Sequence, residues 1–223
     1  MKNMLKFTAA AVALAMSGSA IAGSSDGKIQ IKAMATLVAP DGKITSIELD
    51  NIGLPAGTQT KADDNFIPTI AAEYFFTPNI SLETICCVTQ HDVTGTGPLD
   101  GAGLVSNANI IPATLTAKYH FGDGSGFKPY VGAGPTYFIF IDEKAGDTVQ
   151  ALGATRQKMN DKVGFALQAG FDLPINDKGL GLSVDAKRYF VNTTARWFAG
   201  DTEILRTRHR IDPWVISAGL AYR

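Results

Sequence analysis

The sequence predicts an all-β chain: an eight-stranded antiparallel up-and-down transmembrane β-barrel. Three observations carry this expectation: eight segments with period-2 alternation, a strict order of long and short connections between them, and an export leader with no later membrane helix. Composition agrees. Hydrophobic residues make up 45% and charged residues 18% of the 223, with 23 Gly, 10 Pro and 12 Phe, a mixture that favours strands and turns over a helical bundle. With 20 Lys+Arg against 21 Asp+Glu, the net charge of the chain leaves no basic field to attract nucleic acid or anionic lipid.

The leader comes first. Lys2 and Lys6 precede or flank an apolar core over 7–16, and Ala20, Ile21 and Ala22 give a small-x-small cleavage site before Gly23. The apolar core is about ten residues, half of what a spanning helix needs. Residues 1–22 are therefore expected to be a cleaved signal peptide and 23–223 the barrel.

The strand segments are approximately 28–39, 65–76, 80–90, 108–121, 128–141, 161–173, 180–191 and 211–223. Thr77, Pro78 and Asn79 form a tight turn, and 122–127 and 174–179 are short loops of turn residues. Long polar connections fall between them, over 40–64, 91–107, 142–160 and 192–210. Long and short alternate throughout, as they do in barrels with short periplasmic turns and long extracellular loops. A soluble sandwich would have shorter strands and no such asymmetry.

The faces separate cleanly. In the fourth segment Ile111, Ala113, Leu115, Ala117, Tyr119 and Phe121 fall on one side, with Thr114, Thr116, Lys118 and His120 on the other. Aromatics near the strand ends (Tyr74, Phe76, Tyr119, Phe121, Tyr222) mark the apolar face as the outward one. The inward face then carries two chemistries. Near the short turns lie Lys32, Glu73, Glu83, Lys118, Asp172, Asp185, Lys187 and Arg223, a set expected to pair into a cross-barrel plug. Toward the long connections lie Met34, Val38, Ile67, Ile85, Cys87, Ile110, Phe138, Phe140, Tyr189, Val191 and Val215, a mostly apolar half-lumen of the kind that binds hydrophobic ligands.

Pro68, Pro112 and Pro135 fall inside strands, where proline cannot donate to the ladder. Pro68 and Pro112 belong to the apolar half and are candidates for a lateral gate; a bulge that merely shapes the barrel is the alternative.

Several segments resemble the outer membrane protein W (OmpW) family, which includes the AlkL-type importers. They are PTIAAEYFF (68–76) with NISLE (79–83), PATLTAKYHF (112–121), KPYVGAG (128–134), QAGFD (168–172) with INDK (175–178), and DPWV (212–215). The resemblance runs in order through 28–222. It implies an eight-stranded outer-membrane barrel whose hydrophobic channel carries small apolar molecules, with a closed periplasmic side and an exit through the wall. Two positions depart from the family pattern: the chain ends Tyr222, Arg223 where an aromatic is common, and Leu180 stands where an aromatic is frequent.

Other constellations read as structure. His91 and His209 are expected in or beside the long connections and His120 in the polar lumen, too far apart to share a metal. No Ser, Thr or Cys is placed as a nucleophile, so an enzyme, such as a lipid-modifying barrel, is the disfavoured class. Cys86 and Cys87 are expected on opposite faces of one strand as small fillers. The expected partners are small hydrophobic solutes and outer-membrane lipid or detergent, with no cofactor, no nucleic acid and a monomeric state. A structural or receptor barrel whose loops bind phage, bacteriocin or host surfaces is the competing function.

Overall fold

The computed structural model describes residues 28–122, 126–141 and 144–223, so the expected signal peptide lies outside the described residues. In chain order the strands begin with β1 (Ile29–Ala39), β2 (Lys43–Asp50), β3 (Gln59–Ala62), β4 (Asn65–Phe75) and β5 (Ile80–Cys86). They continue with β6 (Thr89–Thr96), β7 (Gly103–His120), β8 (Lys128–Ile141) and the two-residue β9 (Lys144–Ala145), followed by a one-turn helix α1 (Asp147–Ala151). The last are β10 (Arg156–Met159), β11 (Lys162–Pro174), β12 (Leu180–Phe190), β13 (Asn192–Ala199), β14 (Thr202–Arg210) and β15 (Trp214–Tyr222).

Eight of these close a barrel in the order β1, β4, β5, β7, β8, β11, β12, β15, and β15 returns to β1 with every pair antiparallel. Closure leaves the wall without an edge, and only a closed sheet satisfies strand backbone groups inside lipid. β1 shows the alternation that builds the wall: Gln30, Lys32, Met34, Thr36 and Val38 are buried, whereas Ile29, Ile31, Ala33 and Ala35 are exposed. The outer face is a belt of exposed apolar side chains. Tyr74, Phe76, Tyr119, Phe121 and Tyr222 ring its lower, short-turn rim, and Phe66, Tyr137, Phe165, Phe190 and Trp214 lie toward the other rim.

One expectation needs correction. The stretches 40–64, 91–107, 142–160 and 192–210 are not simply polar connections, because they carry β2, β3, β6, the start of β7, β9, β10, β13 and β14. These strands raise a second tier above the apolar belt. β10, β13, β14 and β2 form one sheet over β11, β12, β15 and β1, while β3 and β6 extend the main sheet along β7. The physical reason is solvent. This tier faces water, so its outward positions are charged (Lys158, Arg206, Arg208, Arg210) while Trp197, Leu205, Thr207 and His209 point in and are buried. Its alternation is present with a different outer face. His91 and His209 accordingly line the lumen and are not loop residues.

The expected third strand, 80–90, is interrupted. β5 ends at Cys86 and β6 begins at Thr89. The last strand starts at Trp214, three residues later than expected, because Asp212 adopts a positive φ of 29° ahead of Pro213. There Asp212 Oδ1 accepts the Val191 N–H at 2.7 Å, and the Arg188 guanidinium donates to the Asp212 carbonyl.

Candidate functional site: a layered lumen above a charged floor

The lower lumen is a network of charged side chains drawn from six wall strands, β1, β4, β5, β7, β11 and β12. Glu73 Oε2 meets Lys32 Nζ at 2.9 Å and Lys118 Nζ at 2.8 Å. Glu83 Oε2 meets the same two ammonium groups at 3.0 Å each, and its Oε1 meets Lys187 Nζ at 3.0 Å. Lys187 also reaches Asp185 at 2.6 Å, and Lys32 lies 3.5 Å from Asp172. Neutral groups fill the remaining valences. Gln168 donates to Glu83 at 2.8 Å and Asp185 at 2.6 Å while accepting from Thr116, and Tyr130 donates to Asp185 at 2.9 Å. Gln30 donates to Asp172, Ser81 donates to Glu73, and His120 Nε2 lies 2.8 Å from Glu73 Oε1. The Lys118 ammonium also sits 3.6 Å from the centroid of the Tyr130 ring. Burying so many charges is tolerable only because each faces an opposite charge and further hydrogen bonds.

The structure thus brings together seven of the eight residues expected in the plug. Arg223 lies lower, with its guanidinium 3.6 Å from the Phe75 ring centroid, and it lines a separate crevice at the bottom rim with Gln30, Lys128 and Asp172. Gln30, Ser81, His120, Tyr130 and Gln168 are members that charge-sign reasoning left out. All occupy inward positions of the alternation, so the pattern marked them even though their type did not.

Above the charges lies a band of hydroxyls. Thr36 pairs with Ser217 at 2.8 Å, and Thr114 pairs with Thr136 at 2.8 Å. Thr114 also donates to the Tyr189 hydroxyl at 3.3 Å. Tyr189 therefore stands at a boundary: its hydroxyl faces this band, and its ring packs edge-on against Phe138 at 5.5 Å.

The third layer is apolar. Val38, Ile85, Cys87, Ile110, Phe138, Tyr189 and Val215 surround a cavity of ≈ 20 Å³, joined by Pro112, Ile211 and Pro213. Met34, Ile67, Phe140 and Val191 are buried in the same cluster without lining that cavity. A second cavity of ≈ 40 Å³ lies within the upper tier, walled by Leu104, Val105, Ala108, Met159, Trp197 and Ile211. The two share Pro40, His91, Ile110 and Ile211. Each has room for a few waters at most, so a larger solute must displace Trp197 or its neighbours. Trp197 is held there by its indole N–H, which donates to the Leu104 carbonyl at 3.3 Å.

Both upper-tier histidines have partners. His91 Nδ1 donates to the Asp63 carbonyl and Nε2 lies 2.9 Å from the Thr89 hydroxyl. His209 sits between Thr207, at 2.6 Å, and Thr60, at 3.3 Å. Burial lowers the His91 pKa and lowers that of His209 to about 4, so both rings are neutral near pH 7.

The wall beside the apolar layer is incomplete. Phe66, Ile67, Pro68 and Thr69 pair with β1 on one side, but β4 meets β5 only from Ile70 to Phe75. Across β5, the ladder to β7 runs from Ile80 to Ile85, stops, and resumes with Thr89 opposite Ile110. At unchanged register Pro112 falls opposite Cys87. Both prolines thus flank the same interruption, 86–88, one on each neighbouring strand. Val88 is exposed and Cys87 is buried at this point. Pro135 marks a different gap, between β7 and β8, where pairing skips from Thr136 to Ala133. There Gly134 lies so close to the Leu115 carbonyl that any Cβ would collide with it.

The fold defines a class: a closed eight-stranded antiparallel transmembrane β-barrel with a graded lumen. Residues 25–223 match the OmpW family, and the chain belongs to that family of non-enzymatic outer-membrane barrels. It is 34% identical over 220 residues to outer-membrane protein y4mB of Sinorhizobium fredii, covering 98% of this chain and 88% of the relative. It is 29% identical to outer membrane protein W of Vibrio cholerae, covering 96% of each. Outer membrane protein AlkL of Ectopseudomonas oleovorans is 26% identical over 180 residues, 78% of this chain and 75% of the relative. Among solved structures, OprG from Pseudomonas aeruginosa superposes with a TM-score of 0.77 at 27% identity, covering 91% of this chain and 98% of OprG.

Proposed function

We propose that this barrel is a passive outer-membrane channel for small hydrophobic molecules that enter through the upper tier and leave sideways between β4 and β7. The observation that carries the reading is a coincidence of level: the apolar layer ends on hydroxyls and charges just where the ladder around 86–88 is missing. A solute that reaches Tyr189 and Phe138 meets ions below and lipid beside it. The likeness to AlkL supports a hydrophobic cargo. In this reading residues 1–22 are removed on export, the short turns face the periplasm, the upper tier faces outward, and the barrel acts as a monomer.

The experiment replaces Pro68 and Pro112 by Val, singly and together, restoring donors that can complete the ladder. Vesicles carrying the folded double variant should take up a hydrophobic solute more slowly than wild type, with folding checked by heat-modifiability on gels. Uptake equal to wild type would remove the gate from these prolines.

A further inference from the structure

The outward face of the sheet formed by β10, β13, β14 and β2 carries a charge pattern that this sheet does not balance. Lys158 pairs in register with Arg196, and Arg196 with Arg206, so three cations lie side by side across three strands. Lower down, Arg210 is paired with Lys43, and Arg208 lies between the two rows. Like charges directly opposite one another destabilise a sheet. The acids present compensate in part: Glu203 serves both Arg196 and Arg206, Glu48 serves Arg208, and Asp41 serves Arg210 and Lys43. Among the described residues no acid lies within ion-pair distance of Lys158. Asp50, at the end of β2, is occupied by the backbone N–H groups of Ile52, Gly53 and Leu54.

This excess is one-sided and sits at a particular height. The opposite half of the tier exposes Asp63, Asp64 and Asp92 with Lys61. Arg210 is four residues from Trp214, at the upper rim of the apolar belt, and so lies within about 13 Å of it, the reach of four extended residues. Arg188 bridges the two zones, with its guanidinium 5.4 Å from the Trp214 ring centroid. A ligand anchored by acyl chains against the belt would present its headgroup at this level. Planar guanidinium groups in rows suit phosphate oxygens, which they hold bidentately.

We propose that this face binds lipopolysaccharide of the outer leaflet through the phosphates of its membrane-proximal sugars. The assignment rests on the reading that the upper tier faces outward; binding in micelles tests it separately from that orientation. Full-length protein folded in detergent micelles is titrated with deep-rough lipopolysaccharide and with the same lipid after removal of its phosphates. Wild type should bind the phosphorylated form at least about ten times more tightly, and added salt should weaken that binding. The variant Lys158→Gln, Arg196→Gln, Arg206→Gln should lose that preference. Lys158→Glu alone, at a side chain with no ion pair among the described residues, should weaken binding in the same direction without touching the paired acids. Equal binding of both lipid forms by wild type, or unchanged binding by both variants, overturns the proposal. Full displacement by a heparin oligosaccharide at equal concentration would also overturn it, in favour of a general polyanion surface. Protease cutting of intact cells within 122–127 or 174–179, before the upper tier, would overturn the orientation while leaving the micelle result standing.

Discussion

Replacing Lys118 by Met removes one cation from the centre of the floor and keeps an unbranched apolar stem in its place. The ammonium touches Glu73 at 2.8 Å, Glu83 at 3.0 Å and the Tyr130 ring at 3.6 Å. Removing one partner of a buried pair costs roughly 3–5 kcal/mol, mostly because the other charge stays buried and uncompensated. Here each carboxylate keeps a second cation, Lys32 for both and Lys187 for Glu83. The loss should therefore fall near the lower bound, about 3 kcal/mol. Adding Glu73→Gln removes one acid for the one base lost and restores the original charge difference of the cluster. The double variant should then recover at least about half of the loss, a coupling of roughly 1.5 kcal/mol or more. The assay is urea unfolding in lipid vesicles followed by fluorescence of Trp197 and Trp214. A Lys118→Met variant within about 0.5 kcal/mol of wild type, with no coupling to Glu73→Gln, would show that these groups do not act as a network.

Three further outcomes are expected. His209 is neutral and buried, with its pKa lowered to about 4 from an ordinary value near 6.5. An opened tier takes up the proton first, so this stability is complete above pH 6.5, falls as pH drops toward 4, and levels off below it, a change of about 3 kcal/mol. Hydrogen exchange of β13 and β14 should show the fall, and His209→Gln should remove most of it; a pH-independent wild type would refute the assignment. Trp197→Ala should cost the tier about 3–5 kcal/mol, as large-to-small changes in cores do, and should widen the upper cavity; unchanged uptake of bulkier solutes would show that Trp197 does not limit passage. In the vesicle assay, Pro135→Val should leave solute uptake at the wild-type rate, because its ladder gap lies between β7 and β8 and not at 86–88; slowed uptake would move the exit to that side.

The eight wall strands were legible because lipid makes the outward face uniformly apolar, so Leu115, Phe165 and Ile216 stand out against Thr116, Ala166 and Ser217. The upper tier was not legible by the same rule. Arg206, Arg208 and Arg210 alternate with Leu205, Thr207 and His209 as regularly as any wall strand, but a charged outer face reads as a polar loop. The plug was legible residue by residue from inward parity. Its pairing was not, because Lys32 meets Glu83 only through a barrel closed by strands far apart in sequence. The break at 86–88 was hidden for another reason. Ile85, Cys87 and Thr89 all remain inward, so period 2 runs straight through it, and the missing pairs fall opposite prolines in two neighbouring strands.

Magnitudes decide between the two exits open to a solute in the apolar layer. Downward, it must part the hydroxyl pairs and then the contacts of Lys118, Glu83 and Lys187, and each uncompensated buried charge costs roughly 3–5 kcal/mol. A small hydrocarbon that buries about 150 Å² of apolar surface gains only about 4 kcal/mol in leaving water. One opened ion pair therefore consumes the whole driving force, and the solute would still emerge into water. Sideways, the proposed path crosses 86–88, where ladder pairs are already missing, so it needs only side chains such as Ile85, Cys87 and Val88 to change rotamer. An off-rotamer side chain costs about 0.5–1.5 kcal/mol, and the solute ends in lipid with its transfer gain intact. The floor then has a function of its own in this reading: it makes the downward route more costly than the wall.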